Sequence, residues 1–335
     1  MMKQQVIDIV QVGMGPLGVA LAKHIESRSR FRTVGAIDIS EDLVGKSLSE
    51  LDPELIGDLK IVSQVKELSS GHGAQVIALT TVSKFEQIYK QIESLAFMGL
   101  PIVTSCEELS YPWKTQPELS TALDGLAKKS GIAILATGIN PGFLMDTLPL
   151  TLSSVCQSVE SIKIERVQDA SKRRVPFQKK IGAGLSPNQF QKQVQEKNIR
   201  HVGLSESIWM LGDRMGWDFE EVSDDIEALV ASQDCGSADV SVPAGYVHGV
   251  KQIGRGIYRG QEKVRMEFIA GLDIKTGSFD RVSIEGNPSL VSTIEGGVHG
   301  DVGTCSVLVN AIPSLLKAEP GLHSMADIAL CSFQG

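Results

Sequence analysis

Gly13, Gly15 and Gly18, within Gly13-Met14-Gly15-Pro16-Leu17-Gly18, carry the G-x-G-x-x-G spacing. In that pattern the first glycine allows a tight turn. The second lets a pyrophosphate approach the backbone, and the third lets a helix pack closely on a strand. A helix that starts there presents unpaired N–H groups and its positive end to phosphates. Pro16 suits its first turn, where no intrahelical N–H is lost. Asp38 lies 20 residues beyond Gly18. A carboxylate at that place bonds a ribose 2′-hydroxyl and repels a 2′-phosphate. Taken singly, three glycines are a turn and Asp38 a surface acid. Set between two strands, Gly13 to Gly18 (Met14, Pro16 and Leu17 included) and Asp38 read as a dinucleotide site with NAD as cofactor. Lys46 nearby leaves NADP open.

A second group lies in three turns. Thr80-Thr81-Val82-Ser83, Thr104-Ser105-Cys106-Glu107-Glu108 and Thr137-Gly138-Ile139-Asn140-Pro141-Gly142 each follow an apolar, β-rich run. Ligands of parallel sheets bind at the carboxyl ends of their strands, so Thr80, Thr81 and Thr104 are expected beside the nicotinamide. Each of these polar residues also reads as a turn former or helix cap. Glu107 and Glu108 are adjacent, so their side chains are expected to diverge. A capping or solvated acid pair is the competing reading.

The elements that must position these groups alternate. Strands are expected at Val6–Val12, Thr33–Asp38, Ile61–Val62, Ala74–Thr80, Pro101–Thr104 and Ile132–Ala136, with helices after Gly15 and over Lys84–Met98 and Thr115–Ser130. This order implies a doubly wound, Rossmann-type parallel sheet over residues 1–145. Near residue 140 the rhythm changes. Ser161–Arg166, Val240–Val250, Val264–Leu272 and Arg281–Glu285 read as strands, and Asn188–Glu196 and Glu206–Met215 as helices. That is an α+β domain over 146–300 with an open mixed or antiparallel sheet. An apolar helix from about Asp301 to Lys317 is expected to return to the first domain and complete it.

Composition bounds the function. The 335 residues are 42% apolar, enough for about two domains with real cores. A net charge of −8 argues against nucleic acid or anionic lipid as partner. No apolar run reaches the ~18 residues of a membrane span. Cys106, Cys156, Cys235, Cys305 and Cys331 are odd in number and scattered, as expected for reduced thiols in a cytoplasmic protein. No histidine or cysteine spacing suggests a metal site; His299 is the one histidine near the suspected site.

The glycine motif, Cys106-Glu107-Glu108-Leu109-Ser110-Tyr111-Pro112 and Thr137-Gly138-Ile139-Asn140-Pro141-Gly142-Phe143-Leu144-Met145-Asp146 together resemble the 2,4-diaminopentanoate dehydrogenase family and its related native amine dehydrogenases. Gly300-Asp301-Val302-Gly303-Thr304 with Asn310-Ala311-Ile312-Pro313 is similar too. The resemblance implies NAD(P)-dependent oxidative deamination of a small amine or diamino acid, reversible as reductive amination of a ketone with ammonia. It implies a homodimer, and it points to the glutamate pair. Hydride can leave only from a neutral amine, so a carboxylate that takes the ammonium proton fits, and it can then activate water. Glu108 is expected to face the pocket, with Glu107 in reserve. The resemblance further implies Asn140 and Phe143 as substrate-lining residues. Phe177, in the segment Gln168–Gln178, reads as a roof over the pocket, and Thr304 as reaching the site or merely packing. Dihydrodipicolinate reductase has a similar fold, but its paired histidines, lysine and Pro-Ser-Gly-Thr signature are absent. An imine or enamine reductase and a non-catalytic NADH-sensing regulator are the competing functions.

Overall fold

A computed structural model describes residues 6–68, 73–171 and 175–334, apart from the side chain of Pro176. The chain forms two compact units. One takes the residues up to Phe143 and returns from His299 on; the other is Leu144–Val298.

The first unit contains β1 (Ile7–Val12), α1 (Pro16–Glu26), β2 (Phe31–Ile37), α2 (Leu48–Leu51), β3 (Ile61–Val62), β4 (Val76–Leu79), α3 (Phe85–Leu95), β5 (Ile102–Thr104), α4 (Pro117–Ser130) and β6 (Ala133–Ala136). The second contains α5 (Thr147–Ser153), β7 (Ser158–Asp169), α6 (Val175–Lys180), α7 (Pro187–Gln195), α8 (Leu204–Met215), β8 (Glu221–Val230), β9 (Cys235–Gly236), β10 (Ser241–Val242), β11 (Val247–Tyr258), β12 (Gln261–Gly271), β13 (Phe279–Asn287) and β14 (Leu290–Glu295). The chain re-enters the first unit through α9 (Gly300–Leu315) and β15 (Gly321–His323).

In the first unit β15-β6-β5-β4-β1-β2-β3 form one seven-stranded sheet, and every pairing is parallel. β4, β5 and β6 are buried on both faces and apolar, as a covered parallel sheet requires. Ile88 and Ile92 of α3 and Leu123 of α4 pack on one face. Leu21 and Ile25 of α1 join Leu308, Val309 and Ile312 of α9 on the other. Strand order reverses direction between β1 and β4, and the crevice at such a switch point is where doubly wound sheets bind ligands.

The second unit holds a six-stranded sheet, β14-β13-β7-β12-β11-β8. β7 and β12 run parallel and the other neighbours antiparallel, so the sheet is mixed. Alternation along the strands gives it two faces. Ile162, Ile164, Val264, Met266 and Val282 pack with Leu204, Ile208 and Leu211 of α8. Lys163–Glu165 and Arg265–Glu267 ion pairs, at 2.9 and 2.6 Å, lie on the opposite face.

One expected strand is split, and several elements were not expected. The run Val240–Val250 is not one strand: Pro243, Ala244 and Gly245 interrupt it, with Gly245 at φ +85°, and split it into β10 and the start of β11. β8 was not expected, because its sequence Glu-Val-Ser-Asp-Asp-Ile-Glu is acidic. α5 and the edge strands β14 and β15 were missed as well. Among the described residues, no helix is long and apolar enough to cross a membrane.

Candidate active site

The glycine loop is held by contacts that explain each glycine. Gly13 has φ +94°, and a Cβ there would stand 2.5 Å from the Thr80 carbonyl oxygen. A Cβ on Gly18 would stand 1.9 Å from the Gly13 carbonyl oxygen, so only glycine lets α1 start so close to the loop. Gly15 is different. A Cβ there meets nothing within 4 Å, so its backbone faces open space. That space leaves room for a pyrophosphate to approach the N-terminus of α1.

Asp38 follows β2 and turns toward this loop. Its Oδ2 accepts the Met14 N–H at 2.6 Å and its Oδ1 the Ser40 N–H at 2.8 Å. Gln11, fully buried in β1, donates to the Gly18 carbonyl at 3.2 Å and accepts the Thr33 hydroxyl at 2.9 Å. Gln11 thus ties β1 to both α1 and β2. It was missed in the sequence because a lone glutamine in an apolar strand has no motif.

Two cavities open along the carboxyl ends of the strands, and both are lined wholly by the first unit. The larger, about 600 Å³, takes Asp38, Ile39, Lys66 and Phe97 into its wall. Ile39 and Phe97 are exposed apolar side chains at its rim. Among the described residues, Lys66 is the cation on this wall, and Lys46 does not reach it. The smaller, about 320 Å³, is lined by Pro16, Leu17, Ser105, Glu107, Asn140 and Thr304, among others. Gly15, Thr80, Thr81 and Val82 line both, so the two meet across the glycine loop. The Thr80 hydroxyl donates to the Gly13 carbonyl at 3.1 Å, and the Thr81 hydroxyl to Gln91. The larger cavity suits an adenosine, the waist a pyrophosphate and the smaller a nicotinamide with substrate. The residues present therefore fit a dinucleotide.

The glutamates occupy a 3-10 turn, Glu107–Leu109, in which successive side chains point about 120° apart. They diverge, but the other way round from the expectation. Glu107 lines the smaller cavity. Its carboxylate has no hydrogen-bond partner among the described residues. Glu108 turns away: its Oε2 accepts the Phe85 N–H at 2.9 Å and the Gln116 side-chain amide at 3.4 Å. The cause lies in α3. Its N-cap position is Lys84, which has no capping oxygen, so a carboxylate from the next turn supplies it.

Other expected residues divide. Thr304 reaches the smaller cavity and also accepts the Ile139 N–H at 3.3 Å. Met14 is buried beneath the loop with Leu48, Leu55 and Ile61; only its N–H serves the site. Thr104 is buried under its turn, where its hydroxyl accepts the Cys106 N–H at 3.2 Å, and it lines neither cavity. Phe143 and His299 line neither cavity. Phe177 packs against the core of the second unit. The run Lys172-Arg173-Arg174 lies outside the described residues.

Two polar side chains of the smaller cavity have buried atoms that are unpaired among the described residues. They are Thr137 at Oγ1 and Asn140 at both Nδ2 and Oδ1; the residues are 3% and 7% exposed. Cys106 also lines this cavity. Burial, reinforced by the Glu107 charge, pushes its thiol far above the ordinary value of 9.0. It therefore stays protonated, and its Sγ donates to the Ser83 carbonyl at 3.2 Å.

Comparisons with known proteins show the family and the fold. Residues 143–333 match the family model described as 2,4-diaminopentanoate dehydrogenase C-terminal domain. The 2,4-diaminopentanoate dehydrogenase of Acetoanaerobium sticklandii is 30% identical over 96% of this chain and 93% of its own. The amine dehydrogenase of Streptomyces virginiae is 23% identical, over 97% and 96%. The structure of the amine dehydrogenase from Mycobacterium smegmatis has the same fold, with a TM-score of 0.82, 22% identity and coverage of 98% and 97%.

Proposed function

Because the chain belongs to the 2,4-diaminopentanoate dehydrogenase family, we propose that it is an NAD-dependent amine dehydrogenase in which Glu107 moves the protons. One observation carries the reading. A carboxylate with no hydrogen-bond partner among the described residues stands at the carboxyl end of β5, in a cavity continuous with the glycine loop.

When bound, the nicotinamide supplies the hydride acceptor for the amine carbon, or the donor in reverse. Glu107 takes a proton from the substrate ammonium and leaves the lone pair that supports departure of hydride from the carbon. The substrate is then an iminium. Glu107 passes that proton to solvent, then accepts one from a water as it adds to the iminium carbon and returns it to the carbinolamine nitrogen, which leaves as ammonia while the new hydroxyl gives its proton to solvent. The balance is amine, NAD⁺ and water to ketone, ammonia, NADH and a proton. In reverse, Glu107 holds ammonia and protonates the departing hydroxyl. Ser105, Ser110 and Thr304 share the wall of the cavity and can orient water.

A ketone-dependent oxidation of NADH that requires ammonia tests this. Small ketones, keto acids and 2-amino-4-oxopentanoate form the substrate panel. Turnover without ammonia favours an imine or enamine reductase. Tight NADH binding without turnover on any of them favours a regulator. The family membership further supports a homodimer, which light scattering tests. The five free cysteines support a reducing, cytoplasmic setting.

A further inference from the structure

We propose that the side-chain amide of Asn140 pairs with the carboxamide of the nicotinamide, and so sets the rotation of the ring that carries the hydride. The inference rests on the dinucleotide reading of the glycine loop.

Asn140 follows β6 and lines the smaller cavity, which begins at Gly15, Thr80, Thr81 and Val82 and thus on the far side of the loop from Asp38. A dinucleotide with its adenosine ribose at Asp38 and its pyrophosphate over Gly15 carries its other half into that cavity. Both polar atoms of the Asn140 side chain are buried and unpaired among the described residues. Leaving either so is unfavourable, so a ligand that pairs with both gains affinity. The local loop does not use them, because the Ile139 N–H goes to Thr304 instead.

The question is which ligand satisfies both atoms at once. A substrate ammonium only donates and reaches Oδ1 alone. A ketone oxygen only accepts and reaches Nδ2 alone. A primary carboxamide has an acceptor and donors in one plane and answers both. Thr137 Oγ1, also buried and unpaired, remains for water or substrate.

The test compares dissociation constants by calorimetry for wild type and Asn140→Ala. The ligands are NADH, ADP-ribose and the pair NAD⁺ and 3-acetylpyridine adenine dinucleotide. ADP-ribose lacks the nicotinamide, and the acetylpyridine analogue has a methyl in place of the carboxamide NH₂. Asn140→Ala should weaken NADH about tenfold or more. ADP-ribose should stay within about twofold, which also shows that the variant is folded. The wild type should prefer NAD⁺ to the acetylpyridine analogue, and the variant should bind the two alike. Asn140→Ser makes the same comparison if the alanine variant does not fold. Unchanged NADH affinity with a raised KM for ketone would give Asn140 to the substrate and overturn the pairing. Equal loss for NADH and ADP-ribose would show loop damage and overturn it too. Failure of the wild type to bind NADH would overturn both readings, whereas normal binding with an unchanged preference overturns this one alone.

Discussion

The Glu108 carboxylate accepts the backbone N–H of Phe85 at 2.9 Å, from 23 positions further along the chain, and closes the open end of α3. Its neighbour Glu107 is left facing the cavity. Glu107→Gln should lower turnover by ~10²-fold or more with little change in melting temperature. Glu108→Gln, which loses a charged cap, should lower stability by about 1 kcal/mol and keep most of its turnover. Steady-state kinetics beside thermal melts separate the two. The reverse pattern would return the catalytic role to Glu108.

Gly15 and Gly18 should respond in opposite ways. Gly15→Ala meets nothing within 4 Å at φ −66°, so the fold should survive while the new methyl stands where the pyrophosphate approaches. NADH affinity should drop about tenfold at an unchanged melting temperature. Gly18→Ala drives a methyl onto the Gly13 carbonyl and should lower the melting temperature. Titration and melting of both variants check this.

Asp38 both braces the loop and lines the larger cavity. Wild-type kcat/KM should favour NADH over NADPH, since a 2′-phosphate there meets like charge. Asp38→Ser should shift the ratio toward NADPH, yet total efficiency should fall because the Met14 N–H loses its partner. Lys66→Ala should reduce whatever NADPH use remains, because Lys66 is the cation on that wall. An unchanged cofactor ratio in Asp38→Ser would remove Asp38 from recognition.

Acid should unfold the second unit partly through Glu267. Burial pushes its carboxyl up, but the Arg265 hydrogen bond and the charge of Lys251 outweigh that and hold it below its ordinary 4.5. A carboxylate with a depressed folded pKa stabilises above its unfolded value and loses that contribution as pH falls through the folded one. Stability should therefore decline below about pH 4.5, and Glu267→Gln should flatten that limb. Urea midpoints between pH 7 and 3 measure it.

What could be read in the sequence follows from what is encoded locally. The glycine loop, β1, β4, β5 and β6 were legible because close backbone packing needs glycine and doubly covered strands need continuous apolar runs. The divergence of Glu107 and Glu108 was legible too. Which one faces the cavity was not, because it depends on the uncapped end of α3, distant in sequence. Thr104 looked like a ligand and serves its own turn, as short polar residues after strands often do. β8 was hidden by its acids, which a sheet tolerates where one face meets water. Gln11 and the unpaired amide of Asn140 show only when burial is known.

The chain order has a consequence for synthesis. β15 pairs with β6, and α9 supplies Leu308, Val309 and Ile312 to the core beneath β1 and β4. These pieces leave the ribosome only after the whole of Leu144–Val298. Nascent chains usually fold from the N-terminal domain onward. Here the inserted unit is complete first, while the nucleotide-binding sheet waits with one apolar face covered by α1 alone. A nascent chain stalled near residue 298 should therefore hold a protease-resistant second unit and a first unit that chaperones still grip.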